Sequence, residues 1–190
     1  MAKLYFRYSA MGAGKSLDLI KVAYNYEERG MKVVLFNSVL DDRFGRDSVV
    51  SRTGIRMDSR GFNADTDFFK ECAGLADGAV ACILVDEAQF LSKGQVEQLL
   101  EVVDTCNIPV ICYGLRTDFM GELFAGSRWL LAWADAIEEL KTICWCGRKA
   151  TMNARIVDGQ VVRHGEQIQI GGNESYIALC GRHFREGRIG

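Results

Sequence analysis

Ser9-Ala-Met-Gly-Ala-Gly-Lys-Ser16 constrains this chain more than any other stretch. It follows the short apolar run Leu4-Tyr5-Phe6-Arg7-Tyr8 and precedes Leu17, Ile20, Ala23 and Tyr24, which sit at helical spacing. Gly12 and Gly14 let the backbone curl between strand and helix, in conformations that side-chain-bearing residues rarely take. Successive N–H groups then face one concavity, and the helix adds the positive end of its dipole. The residues fit the phosphate-loop pattern G-x-x-x-x-G-K-[ST] at every fixed position but the first, where Ser9 stands for Gly. Ala10, Met11 and Ala13 complete the backbone of the cradle. Lys15 is placed to reach the β- and γ-phosphates, and Ser16 to put a hydroxyl on Mg²⁺. A chance Gly-Lys-Ser turn would not need the strand before it and the helix after it.

The rest of the chain reads as alternating strands and helices. Lys32–Asn37, Val80–Val85, Ile108–Tyr113 and Ala136–Ile143 read as strands, the second and third as continuous apolar runs buried on both faces of a parallel sheet. Ser16 to about Arg29, Asp67 to about Leu75, and Gln95 to about Thr105 read as helices. Residues 41–66 are polar, with Arg at 43, 46, 52, 56 and 60, and predict partly mobile loops and short strands. The alternation predicts an α/β fold, a mostly parallel sheet flanked by helices. From Ile143 onward helical period is lost, so a boundary is expected there, giving a core over 1–142 and a small appendage over 143–190.

Composition narrows the function. At 190 residues, 48% hydrophobic and 25% charged, the chain has the material for one core plus an appendage. A net charge of −2 argues against a nucleic-acid backbone as main partner. No apolar run approaches the roughly 18 residues of a membrane span. Met1-Ala-Lys-Leu-Tyr-Phe enters a strand directly, which predicts no signal peptide and a cytoplasmic location.

Val80–Val85 runs into Asp86-Glu-Ala-Gln-Phe90. An apolar strand ending in an acid is the usual partner of a phosphate loop. Asp86 would hold Mg²⁺, directly or through water. Glu87 could take a proton from an attacking hydroxyl or orient a water. Two acids favoured at a helix start are the plainer alternative. The pair does not separate a kinase from an ATPase motor. The absence of Asn-Lys-x-Asp argues against a GTPase.

Seven cysteines without an export signal suggest reduced thiols. Cys144-Trp-Cys146 and Cys180-Gly-Arg-His183 form two knuckles that fit a tetrahedral Cys₃His zinc site. Four protein ligands leave no open position, so such a metal would be structural. Three buried thiols and a surface histidine are the alternative. Cys72, Cys82, Cys106 and Cys112 lie on apolar segments and read as core residues, and His164 as solvated.

Taken together, Ser9–Ser16, Asp41-Asp-Arg43-Phe44, Asp86–Phe90, Tyr113-Gly-Leu-Arg-Thr-Asp-Phe119, Cys144-Trp-Cys-Gly-Arg-Lys-Ala150 and Ile170-Gly-Gly-Asn-Glu-Ser-Tyr176 resemble the thymidine kinase family, of the kind with a RecA-like core and a zinc-bearing lasso. Ser9 and the Cys-x-Cys spacing resemble its bacterial branch. The resemblance implies transfer of a phosphoryl group from ATP·Mg²⁺ to the 5′-hydroxyl of thymidine or deoxyuridine, in nucleotide salvage for DNA synthesis. Glu87 matches the family's general base. Ser9–Ser16, Asp86–Gln89 (with Ala88), Asp41 and Arg43 match positions at the triphosphate and metal. Met11, Phe90, Leu115, Phe119 and Phe124 match the walls of the base slot, and Tyr176 matches a residue at the deoxyribose. Ile168, Gln169, Ile170, Gly171 and Gly172 match the loop whose backbone meets the thymine edge. A homotetramer inhibited by thymidine triphosphate is implied as well.

Two rival readings use the same residues. One is an ATP-driven nucleic-acid motor with a zinc ribbon, against which stand the acidic balance, the short chain and the lack of a second motor domain. The other is a zinc-stabilised nucleotide-binding module in which Glu87 is idle.

Overall fold

A computed structural model describes residues 1–40, 48–51, 53–74, 80–168 and 175–190. In chain order the elements are β1 (Leu4–Ser9), α1 (Lys15–Glu27), β2 (Lys32–Ser38), β3 (Ser48–Val50), β4 (Arg56–Asp58), β5 (Arg60–Phe62), α2 (Phe68–Ala73), β6 (Val80–Val85), a 3₁₀ turn (Ala88–Phe90), α3 (Lys93–Cys106), β7 (Val110–Leu115), α4 (Ala125–Trp133) and β8 (Ala136–Glu139). Then follow β9 (Thr142–Ile143), β10 (Lys149–Ala150), β11 (Met152–Val157), β12 (Gln160–Val162), β13 (Tyr176–Leu179) and α5 (Gly181–Glu186).

Six strands form one sheet in the order β5-β2-β6-β7-β1-β8, and every neighbouring pair is parallel. Side chains alternate across it, as a two-residue period requires. On one face Phe6, Phe36, Ile83, Val85, Val110 and Cys112 pack against α2, α3 and α4. On the other, Leu35, Cys82, Leu84, Ile111 and Tyr113 meet Leu19, Ile20 and Ala23 of α1. Both faces are covered, which is why β6 and β7 read as unbroken apolar runs. Tyr113 also ties α1 to the sheet: its hydroxyl donates to Asp18 at 3.0 Å and accepts from Arg7 at 2.8 Å.

The helix ends follow local chemistry. Ser92 and Gln95 form a reciprocal capping box at α3, worth about 1 kcal/mol. Asp67 caps α2 by accepting from the Lys70 amide. Pro109, which has no N–H to donate, stands just outside β7, so that strand begins at Val110 and not at Ile108. The apolar residues Trp129, Leu130, Leu131 and Trp133 lie within α4.

Beyond β8 the pattern differs from the single strand expected over Ala136–Ile143. The chain leaves the main sheet after Glu139, and Thr142–Ile143 pairs with β10 in a separate ribbon. A three-stranded antiparallel sheet, β12-β11-β13, follows. A six-residue helix, α5, also forms there although no helical period marks it. It is too short to show one. Its own small core comprises Cys144, Ala150, Ala154, Leu179, Cys180 and Phe184.

Candidate active site

In an all-parallel sheet the carboxyl ends of the strands share one edge, where open α/β sheets bind ligands. Here β1 ends at Ser9, β6 at Val85 and β7 at Leu115. The three segments that follow, 10–16, 86–90 and 116–119, therefore converge.

Gly12 and Gly14 take φ of 78° and 76°, the left-handed region the loop requires. The Ser9 side chain is buried, and its hydroxyl has no partner among the described residues. Ser16 Oγ donates to Asp86 Oδ2 at 2.9 Å, so the two groups expected around Mg²⁺ lie side by side. Asp86 is buried, and its other oxygen accepts from the Glu87 amide at 2.9 Å. Burial, with the Glu87 charge adding to it, pushes the Asp86 carboxyl above its ordinary range; the Lys15 charge opposes this. A divalent cation beside Asp86 and Ser16 would supply the missing positive charge, so the donor set fits Mg²⁺.

Glu87 holds a left-handed conformation, φ 51° and ψ 37°, unusual for a non-glycine residue. Its carboxylate accepts from the Gln89 side-chain amide. Gln89 Oε1 in turn accepts from the Leu115 amide at 3.1 Å. The Gln89 side chain is thus a strut between Glu87 and the end of β7. The turn carrying both is clamped by α4. A methyl group on Gly126 would lie 2.3 Å from the Ala88 carbonyl oxygen, so only glycine permits this approach.

The aromatic positions form two groups. Phe90 and Phe124 pack edge to face with centroids 5.9 Å apart. Phe119 is buried, and the Arg155 guanidinium lies 3.7 Å above its ring. Arg155 Nε donates to the Tyr176 hydroxyl at 2.9 Å, and a terminal nitrogen donates to the Gln167 carbonyl at 3.3 Å. Gln167 Nε2 donates to Asp118 at 2.8 Å. The start of the expected base-binding loop is thus fastened to the wall residues, with the Ile168 side chain largely exposed. Asp41, Arg43, Gln169, Ile170, Gly171 and Gly172 lie outside the described residues. Sequence reasoning did not single out Asn153 or Arg155, both buried polar residues on β11.

The cysteine knuckles meet as expected. Cys144, Cys146, Cys180 and His183 place their ligand atoms within 4.8 Å of one another. Cys144 Sγ lies 3.4 Å from His183 Nδ1, and Cys146 Sγ lies 4.0 Å from Cys180 Sγ. A tetrahedron with metal–sulfur bonds of about 2.3 Å has edges of about 3.8 Å, so the four atoms fit zinc. Trp145 stacks on His183 with centroids 4.3 Å apart and fixes the ring. Burial raises the Cys144 thiol, but hydrogen bonds from the backbone at Cys146 and Cys180 and from His183 outweigh it, bringing it down to about 6. That favours the thiolate a metal binds. Of the remaining cysteines, 72, 82 and 112 are buried and Cys106 is half-buried, as expected of core residues. His164 is exposed.

A glycine-rich turn between β1 and α1, the Ser16–Asp86 pair and the Glu87 carboxylate beside it, at the carboxyl edge of a parallel sheet, are the arrangement expected of a phosphoryl-transferring α/β enzyme. The family model for thymidine kinase matches residues 2–184. The chain belongs to the thymidine kinase family. It is 57% identical over 188 residues to a thymidine kinase of Pasteurella multocida, covering 98% of both chains. It is 56% identical to one of Haemophilus influenzae, covering 98% of this chain and 97% of the relative. A Vibrio vulnificus thymidine kinase is 54% identical, with 98% of both chains covered. No helix among the described residues is long and apolar enough to cross a membrane.

Proposed function

We propose that this chain transfers the γ-phosphoryl group of ATP·Mg²⁺ to the 5′-hydroxyl of thymidine, and of deoxyuridine, giving the 5′-monophosphate and ADP. The observation that carries the reading is the full-length match to thymidine kinases, together with Ser16, Asp86 and Glu87 meeting at one sheet edge. The phosphate loop and Lys15 hold the triphosphate, and the family resemblance assigns Asp41 and Arg43 to the same ligand. Ser16 and Asp86 would hold Mg²⁺, which would neutralise charge on the phosphate oxygens. The 5′-oxygen forms a bond to the γ-phosphorus as the bond to the β–γ bridging oxygen breaks. Glu87 accepts the proton of the 5′-hydroxyl, and Gln89 keeps its carboxylate aimed.

The nucleoside sits between Met11, Phe90, Leu115, Phe119 and Phe124, with Tyr176 at the sugar and the backbone of 168–172 at the base edge. Residues 1–142 act as the phosphoryl-transfer core and 143–190 as the zinc-bearing lasso. Family membership alone supports the homotetramer, inhibition by thymidine triphosphate and a cytoplasmic location.

The test is ADP release with thymidine, with single-stranded DNA, and with neither. Release on thymidine alone is expected. Stimulation by DNA and not by thymidine would favour the motor reading. A kcat/KM series checks the pocket. Backbone groups that meet the N3–H and O4 edge of thymine face mismatched groups in cytosine, at about 1–3 kcal/mol for each unsatisfied buried group. Deoxycytidine and deoxyguanosine are expected to be poor substrates. Deoxyuridine, lacking one methyl, should lose little, because a methyl-sized gap is worth roughly 1 kcal/mol. Deoxycytidine or deoxyguanosine turning over like thymidine would overturn the pocket.

The zinc holds the lasso and takes no part in the chemistry. Its ligands flank residues 165–176, so its removal should loosen that segment, lower Tm and raise the thymidine KM before kcat falls. Elemental analysis of chelator-free protein is expected to give one zinc per chain. Protein without stoichiometric zinc but with normal thymidine KM would refute the site.

A further inference from the structure

We propose that Asn153 is a positioning residue for phosphoryl transfer: its one side-chain amide fixes the phosphate loop and the nucleoside-side end of β7 at a set separation. The proposal rests on the reading above, since it concerns alignment within that site. Asn153 lies on β11 and is 3% exposed. Its Oδ1 accepts from the Met11 amide at 2.8 Å, inside the phosphate loop and 142 residues away. Its Nδ2 donates to the Thr117 carbonyl at 2.9 Å, two residues before Phe119. Loop and aromatic wall therefore meet through a single rigid planar group.

The surroundings give this amide a frame. On β11 the side chains alternate: Ala154 points into the small core that contains Cys144 and Cys180. Asn153 holds the loop, while Arg155 covers Phe119 and holds Tyr176. The zinc-side core thus backs a strand whose other face grips both halves of the site. A second, weaker hold lies alongside, where Thr142 Oγ1 donates to the Gly12 carbonyl at 3.4 Å. Removing the Asn153 amide takes these hydrogen bonds from the buried Thr117 carbonyl and the partly buried Met11 N–H, and frees the loop to shift. Phosphoryl transfer depends on alignment, and a displacement near 1 Å can cost about 10²-fold.

Asn153→Ala and Asn153→Asp separate alignment from mere stability. Aspartate keeps an oxygen for the Met11 N–H but presents an oxygen to the Thr117 carbonyl. With fold and zinc content checked, Asn153→Ala should lose about 10-fold or more in kcat, raise the KM for ATP and for thymidine, and speed hydrogen exchange at the Met11 amide. Asn153→Asp should keep slow exchange at Met11 and an ATP KM within about twofold of wild type, yet raise the thymidine KM. A purely structural role would lower Tm while leaving kcat, both KM values and Met11 exchange near wild type, and that result would overturn the proposal. Should Asn153→Ala fail to fold, Asn153→Asp with unchanged thymidine KM and kcat would overturn it equally. If the wild-type chain did not phosphorylate thymidine, the functional reading would fall instead. Calorimetric ATP affinity and Met11 exchange in the variants would then decide the role of Asn153.

Discussion

Glu87→Gln is expected to remove about 10²–10⁴-fold of kcat, the usual contribution of a positioned general base. That corresponds to about 3–5 kcal/mol of the barrier. The substitution isolates basicity because the geometry is retained. The carboxylate accepts from the Gln89 side chain, and a glutamine oxygen can accept the same hydrogen bond. The left-handed backbone at φ 51° is set by the 3₁₀ turn and the glycine contact from α4, neither of which changes. ATP and thymidine affinities, read by calorimetry, should stay within about twofold. The negative charge beside Asp86 is lost, which if anything eases burial of that carboxyl. A variant with near wild-type kcat would remove Glu87 from the role of base.

What the sequence made legible, and what it hid, divides along physical lines. The central parallel strands were readable because burial on both faces leaves a continuous apolar run, and β6 and β7 appear close to where those runs lie. The phosphate loop and the Cys₃His cluster were readable because their ligands come in short fixed spacings, imposed by a turn or by a tetrahedron. Short elements were not readable. Helix α5 spans six residues, too few to carry a period, and the break after Glu139 follows from sheet pairing that no local signal announces. The supports of the site were hidden for another reason. Asn153 touches groups 142 and 36 residues away, and Arg155 is a buried cation whose partner is an aromatic face. In sequence both look like ordinary polar positions on the outer side of a strand. Gln89 was noticed, but its use as a strut for Glu87 depends on the end of β7, 26 residues on.

Lys15→Ala should abolish most turnover, and its defect should appear in triphosphate binding as well as in chemistry. Lys15 opens α1 directly after Gly14, at the positive end of the helix. Its charge also opposes the upward shift of the Asp86 carboxyl, so in the proposed site it would act on the acid assigned to Mg²⁺ as well as on the phosphates. The side chain is only half-buried, and α1 is anchored elsewhere, by Leu19, Ile20 and Ala23 and by the Asp18–Tyr113 hydrogen bond. The nucleotide-free variant should therefore melt close to wild type. The difference should emerge on adding ATP·Mg²⁺. A ligand at a hundred times its Kd stabilises a fold by about 2.7 kcal/mol. For a chain of this length that is a rise of roughly 5–10 °C in Tm. Wild type should show that rise and Lys15→Ala should show little of it, with thymidine phosphorylation falling in parallel. Preserved phosphorylation, or an undiminished ATP-dependent rise in Tm, would show that the triphosphate binds away from the loop between β1 and α1.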